Sequence, residues 1–128
     1  MRLLLDTQLL LWAAYTPGRL SPAARALIED VGNELAFSPV SLWEVVIKRA
    51  LGRPDFRADP RLLRRGLVEN GYVELAVTSD HTLAVDTLPY LHKDPFDRLL
   101  VAQALAEGLS FVTADAQLSA YPGDIRLV

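Results

Sequence analysis

Cysteine is absent from this 128-residue chain. Its absence removes disulfides, thiolate metal sites and a cysteine nucleophile, and the composition is compatible with a reducing cytoplasm. Long apolar runs are also missing. Leu3-Leu4-Leu5 meets Asp6 after only three leucines, too short for the core of a signal peptide, and no run approaches the roughly 20 residues of a membrane span. There is no glycine-rich phosphate loop. No serine has a visible His/Asp relay, so acyl-enzyme chemistry is unsupported. Strong charge of either sign is lacking too: the net charge is −3, so any nucleic-acid role must come from local charge. No tandem repeat or low-complexity linker appears.

What is present is 51% apolar and 23% charged, the balance of one globular domain with a real core. Cap-then-proline pairs punctuate it. Ser21-Pro22, Ser38-Pro39, Asp59-Pro60 and Asp94-Pro95 each place a side-chain acceptor before a residue suited to the first helical position. They predict helices over 22–31, from 39 to about 50, from 60 to Asn70-Gly71, and from 95 to Gly108. Ala24, Leu27, Ile28 and Val31 form the apolar stripe of the first; Val40, Trp43, Val46, Ile47 and Ala50 form that of the second. Residues 7–14 and 79–88 also read as helical. Strands are expected at Leu3–Leu5, Glu34–Phe37, Tyr72–Val77, Ser110–Thr113 and Asp124–Val128. Short apolar strands alternating with helices predict an α/β fold with a four- to five-stranded, mainly parallel sheet flanked by helices. Ligands of such sheets lie beyond the carboxyl ends of the strands, where Asp6 and Asp115 fall.

Four acids stand out: Asp6, Glu44, Asp97 and Asp115, with Asp94 as a fifth. Each has an ordinary structural explanation. Asp6 can cap a helix, Glu44 can close a capping box with Ser41, Asp97 can favour a helix dipole, and Asp115 can serve a turn. Jointly these explanations weaken, because strand ends and helix N-termini of one α/β sheet share an edge. Glu44 also lies among Trp43, Val45 and Val46, where a carboxylate needs a partner. Hard divalent cations such as Mg²⁺ take oxygen ligands, so clustered acids suit phosphodiester chemistry. His92 reads as a hydrogen-bonding or surface residue, His81 carries no signal, and core packing is the default for Trp12 and Trp43.

Basic residues are uneven. Lys48, Arg49, Arg53, Arg57, Arg61, Arg64 and Arg65 supply seven of the 13, with only Asp55 and Asp59 among them. A solvated helix face explains this segment; so does a phosphate-tracking patch beside Glu44.

Leu3-Leu4-Leu5-Asp6-Thr7, Ser41-Leu42-Trp43-Glu44-Val45-Val46-Ile47-Lys48, His92-Lys93-Asp94-Pro95-Phe96-Asp97-Arg98-Leu99-Leu100-Val101-Ala102-Gln103-Ala104 and Val112-Thr113-Ala114-Asp115 together resemble the PIN-domain ribonucleases. Among these, the VapC-like toxins of toxin–antitoxin pairs are most similar. The resemblance spans nearly the whole chain and implies one PIN domain over 1–128. It implies Mg²⁺- or Mn²⁺-dependent cleavage of RNA in the cytoplasm, with Asp6, Glu44, Asp97 and Asp115 as metal ligands and catalytic acids. Asp94 is accessory in this reading, and Arg98 is a structural or phosphate-contacting neighbour. The charge distribution, rather than the resemblance, makes Lys48, Arg49, Arg53 and Arg57 the residues that would meet RNA, since the segment from Gly52 to Asp59 matches nothing specific. A homodimer and a cognate antitoxin that blocks the site are also implied; an amphipathic partner helix could use the apolar residues Leu9 to Ala13, Trp43 and Ile47. The rival readings are a catalytically silent module that binds RNA or protein, and a phosphoacceptor domain of the receiver type. The latter wants paired acids after the first strand and a late lysine, whereas Thr7 and Gln8 follow Asp6 and no lysine lies beyond Lys93.

Overall fold

A computed structural model describes all 128 residues. Five strands, β1 (Arg2–Leu5), β2 (Glu34–Phe37), β3 (Val73–Glu74), β4 (Ser110–Thr113) and β5 (Ile125–Leu127), form one sheet in the order β3-β2-β1-β4-β5. Every pairing is parallel. Six helices connect them: α1 (Thr7–Tyr15), α2 (Pro22–Glu29), α3 (Pro39–Ala50), α4 (Pro60–Glu69), α5 (Ser79–Ala84) and α6 (Pro95–Glu107). The chain builds one half of the sheet outward from β1 and returns to β1's other side with β4. The reversal of strand order therefore lies between β1 and β4, where a crevice opens at the carboxyl ends.

Parallel strands covered on both faces have no polar side, which explains the uninterrupted apolar runs. Leu4 and Phe111 face a core shared with Leu100, Val101 and Ala104 of α6. Leu3, Leu5 and Val112 face a second core with Leu9 and Leu10 of α1 and Leu63 and Leu67 of α4. Alternation thus feeds two cores, and α3 contributes to both through Val40 and Val45.

All four cap–proline helix starts are present. Ser21 Oγ accepts from Ala24 N, Ser38 Oγ from Val40 N, Asp59 Oδ1 from Arg61 N and Asp94 Oδ1 from Phe96 N, at 2.8–3.1 Å. Gly108 ends α6 at φ 67°, a conformation that L side chains rarely adopt.

Several expectations need correction. Val31 is fully exposed outside α2, because Asp30 accepts from Gly32 N and turns the chain there. The third strand shrinks from 72–77 to Val73–Glu74, an edge held only by β2. On α3 the buried face is Val40, Ser41, Glu44 and Val45, while Trp43 and Val46 are exposed. The apolar spacing pointed to the wrong face because polar Ser41 and Glu44 turn inward. Leu9, Leu10 and Leu11 are buried, so α1 has no apolar surplus to offer a partner through them. His81, silent in the sequence, is buried. It exchanges bonds with Thr78 at the start of α5 and meets Glu107 Oε1 through Nε2 at 2.7 Å.

Leu100 is fully buried at the centre of α6. Leu100→Ala should cost about 2–5 kcal/mol in urea unfolding, whereas Val31→Ser should stay within about 0.5 kcal/mol.

Candidate metal centre

Asp6 leaves β1 and caps α1. Its Oδ1 accepts from Leu9 N at 2.9 Å and its Oδ2 from Thr113 Oγ1 at 2.5 Å, so the ends of β1 and β4 are joined through one carboxylate. Thr7 Oγ1 donates to Ser41 Oγ at 2.9 Å and draws α3 against α1. One turn along α3, Glu44 is buried. Its Oε2 accepts from Lys48 Nζ at 2.5 Å, while its Oε1 is buried without a hydrogen-bond partner. Asp94 caps α6 with Oδ1, which accepts from Phe96 N and Asp97 N, and its Oδ2 accepts from Lys48 Nζ at 3.3 Å. Asp115 caps the 3₁₀ turn Ala116–Ala120 after β4, its Oδ1 accepting from Gln117 N.

Asp6, Glu44, Asp94, Asp97 and Asp115 line one cleft of about 300 Å³, together with Lys48, Gln8, Trp12 and Phe56. All five acids singled out in the sequence are therefore brought together. Burial and neighbouring carboxylates raise the proton affinity of two of them, Asp97 and Asp6. Burial, then the Asp94, Glu44 and Asp6 carboxylates, push Asp97 up to about 8 against the pull of Lys48. Burial is also the main cause for Asp6, which rises to about 6 while the Thr113 and Leu9 bonds hold it down. Glu44 and Asp94 together hold the Lys48 ammonium above its ordinary range, outweighing burial.

His92 stands at the mouth. Its Nδ1 accepts from Asp94 N at 3.0 Å, which leaves the proton on Nε2. That N–H points to Asp115 Oδ2 at 3.3 Å, with Asp97 Oδ2 at 3.7 Å. The three side chains offer ligand atoms within 4.8 Å of one another. In this tautomer His92 is a donor that orients carboxylates, and the oxygens that could hold a cation are those of the acids. An unpartnered buried Glu44 oxygen, an Asp97 carboxylate reached by no hydrogen bond and mutually repelling neighbours fit a hard divalent cation.

Not every residue named from the sequence belongs here. Arg98 is buried on the far side of α6, donating to Pro89 O, Val85 O and Tyr121 Oη and lying 4.8 Å from the Tyr90 ring. It is structural and does not reach the cleft. Lys48 turns inward and leaves the basic patch, whereas Arg49, Arg53 and Arg57 are exposed. Glu44 does not box with Ser41, since Ser38 is the cap. Sequence reasoning missed Thr113, which carries no local signal. It also missed the place of Lys48, which its i,i+4 spacing from Glu44 could have given. A separate apolar groove of about 680 Å³ lies between α1, α2 and α4, lined by Ala13, Tyr15, Ile28, Leu62 and Leu67 among others.

A family model described as PIN domain matches residues 3–124. No curated protein matches the chain. Among solved structures, VapBC2 from Rickettsia felis bound to a DNA fragment from its promoter is similar, with TM-score 0.71 and 16% identity over 100% of this chain and 98% of that one. DNA-bound VapBC from Salmonella typhimurium gives TM-score 0.65 at 15% identity, covering 100% and 97%. A toxin–antitoxin complex from Klebsiella pneumoniae gives 0.62 at 16%, covering 95% and 93%. At such identities the likeness is one of fold.

Both pKa shifts raise a carboxylate above its unfolded value of 3.8. Their contribution to the metal-free fold is therefore fully present below about pH 4 and is lost as pH rises through about 6 for Asp6 and about 8 for Asp97. In EDTA the melting temperature should fall from pH 5 to pH 8. Asp97→Asn should melt about 5 °C above wild type at pH 8, with the gap closing toward pH 4. Equal melting temperatures at pH 8 would contradict the crowding described here.

Proposed function

We propose that this chain, which belongs to the PIN domain family, is a VapC-type toxin: a Mg²⁺- or Mn²⁺-dependent endoribonuclease whose PIN domain spans residues 1–128. The observation that carries this reading is the gathering of Asp6, Glu44, Asp97 and Asp115 in one cleft at the strand-order reversal. A bound divalent ion would supply Lewis acidity at a phosphoryl oxygen and lower the pKa of water. Asp97, Asp6 and the Oε1 of Glu44 would hold it.

The chain's own groups divide the remaining work. Thr113 and Leu9 N fix the Asp6 carboxylate in one orientation, so little reorganisation is needed when charge develops. Asp115 is the most solvent-accessible of the quartet, and the His92 N–H holds it at the mouth, where it can orient an incoming water. Asp94 is accessory: it starts α6 and so sets the position of Asp97. Exposed Arg49, Arg53 and Arg57 follow Glu44 along the chain and supply cations for the RNA backbone. A silent binding module would have no use for such crowding, which costs stability and is relieved by a cation.

As a toxin the protein acts in the cytoplasm on RNA, works as a homodimer and is restrained by a cognate antitoxin. The apolar groove between α1, α2 and α4 offers that partner a hydrophobic seat. The structures it is similar to include toxin–antitoxin complexes, which is in keeping with this assignment.

Asp97→Asn should lower RNA cleavage by about a hundredfold or more with the fold intact, and EDTA should abolish wild-type turnover until Mg²⁺ or Mn²⁺ is restored. Turnover that survives EDTA would refute the metal-dependent reading. Arg53→Ala with Arg57→Ala should weaken RNA binding and reduce the slope of log K against log salt by about 1–2. Fluorescence anisotropy across salt concentrations measures it, and an unchanged slope would leave these arginines as a solvated face.

A further inference from the structure

We infer that Lys48 is a resident counter-cation of the cleft, filling the lobe between Glu44 and Asp94 and thereby limiting the site to one divalent ion on the Asp97 side. The inference rests on the metal-nuclease reading above and deepens it.

An inventory of oxygens leads there. Both Asp94 oxygens are engaged, and only Oδ2 keeps a free lone pair: Oδ1 accepts from Phe96 N at 2.8 Å and Asp97 N at 3.3 Å, and Oδ2 takes the Lys48 ammonium at 3.3 Å. Glu44 is divided, with Oε2 on Lys48 at 2.5 Å and Oε1 buried and unpartnered. The Asp97 carboxylate accepts no hydrogen bond, and His92 Nε2 lies 3.7 Å from its Oδ2. Free ligand atoms are thus concentrated on one side of Glu44, and a fixed positive charge lies on the other.

The ammonium is not a passing surface charge. An exposed i,i+4 Glu–Lys pair on a helix contributes little and its side chains wander. Here the side chains of Glu44 and Lys48 are only 5% and 15% exposed, and a third partner comes from the start of another helix. The centroids of the Phe56 and Phe96 rings lie 4.9 Å and 5.6 Å from Nζ and flank it. A second divalent ion bridging Glu44 Oε2 and Asp94 Oδ2 would need the volume that Nζ fills, and short of displacing it would meet strong repulsion at low local dielectric. Lys48 is accordingly a positioning residue. It holds Glu44 by one oxygen and leaves the other unpartnered, competes with a metal for Asp94 Oδ2, and offsets part of the acidic charge when no metal is bound.

Counting bound Mn²⁺ by electron paramagnetic resonance tests this without reference to turnover. Wild type and Lys48→Arg should each bind one ion per chain. Lys48→Met should bind two, the first about tenfold tighter than in wild type, and adding Asp94→Asn to Lys48→Met should return the count to one. One ion at unchanged affinity in Lys48→Met, or two in wild type, would overturn the inference and leave the nuclease reading standing. No Mn²⁺ bound by either protein would overturn both. Should Lys48→Met fail to fold, ¹⁵N-detected lysine side-chain spectra of wild type decide: the Lys48 ammonium signal should persist at saturating Mg²⁺, and its loss would show that the ion displaces it.

Discussion

Carboxylates that share a cleft of about 300 Å³ repel one another, and most of the surrounding structure serves to hold them there regardless. Desolvation and mutual repulsion raise Asp97 to about 8, a cost borne by the rest of the fold. Three of the five acids are fixed by backbone N–H groups at the start of a helical segment: Asp6 at α1, Asp94 at α6 and Asp115 at the short 3₁₀ turn. Each N-terminus supplies partial positive charge where negative charge is gathered. Capping is therefore also what places these carboxylates in the cleft. The competing structural explanations for these residues are true of them without excluding the functional ones.

The fold sets where that act takes place. β1 is central, with β2 on one side and β4 on the other, and the crevice between β1 and β4 receives Asp6 and Asp115 from adjacent strand ends. α3 must then turn a polar face inward. Ser41 meets Thr7, Glu44 enters the cleft, and Trp43 is left exposed, though it still packs edge-on against Phe96 at 5.1 Å between centroids. Two cores on opposite faces of the sheet keep the crevice open by occupying everything beneath it. The site is a seam between rigid elements rather than a loop that closes.

Much of this is legible in the sequence. Helix starts were readable because a cap followed by proline is a local instruction, satisfied within a few residues. The five acids were readable because strand ends and helix N-termini of a parallel sheet converge. What failed did so where distant contacts decide. The buried face of α3 is set by what α1 and α6 present to it, not by its own apolar spacing. The third strand is short because β2 alone pairs with it. Lys48 read as part of a basic run, since nothing near it in sequence reveals Asp94, 46 residues away. Thr113 is 107 residues from the carboxylate it serves.

That last bond has a consequence for the order of synthesis. Asp6 leaves the ribosome well before the strand and hydroxyl that orient it, which come from Ser110–Thr113. α6, which starts at the Asp94 cap and carries Asp97, must also have been made before the core around Leu4 can close. A nascent chain with β1, α1 and α3 already emerged holds Asp6 and Glu44 but no assembled cleft, because β1 lacks one of its two neighbours. Pairing of such high sequence separation comes late in folding. The topology thus makes the cleft one of the last features to assemble: Asp6 and Asp115 are brought side by side only once β4 pairs with β1.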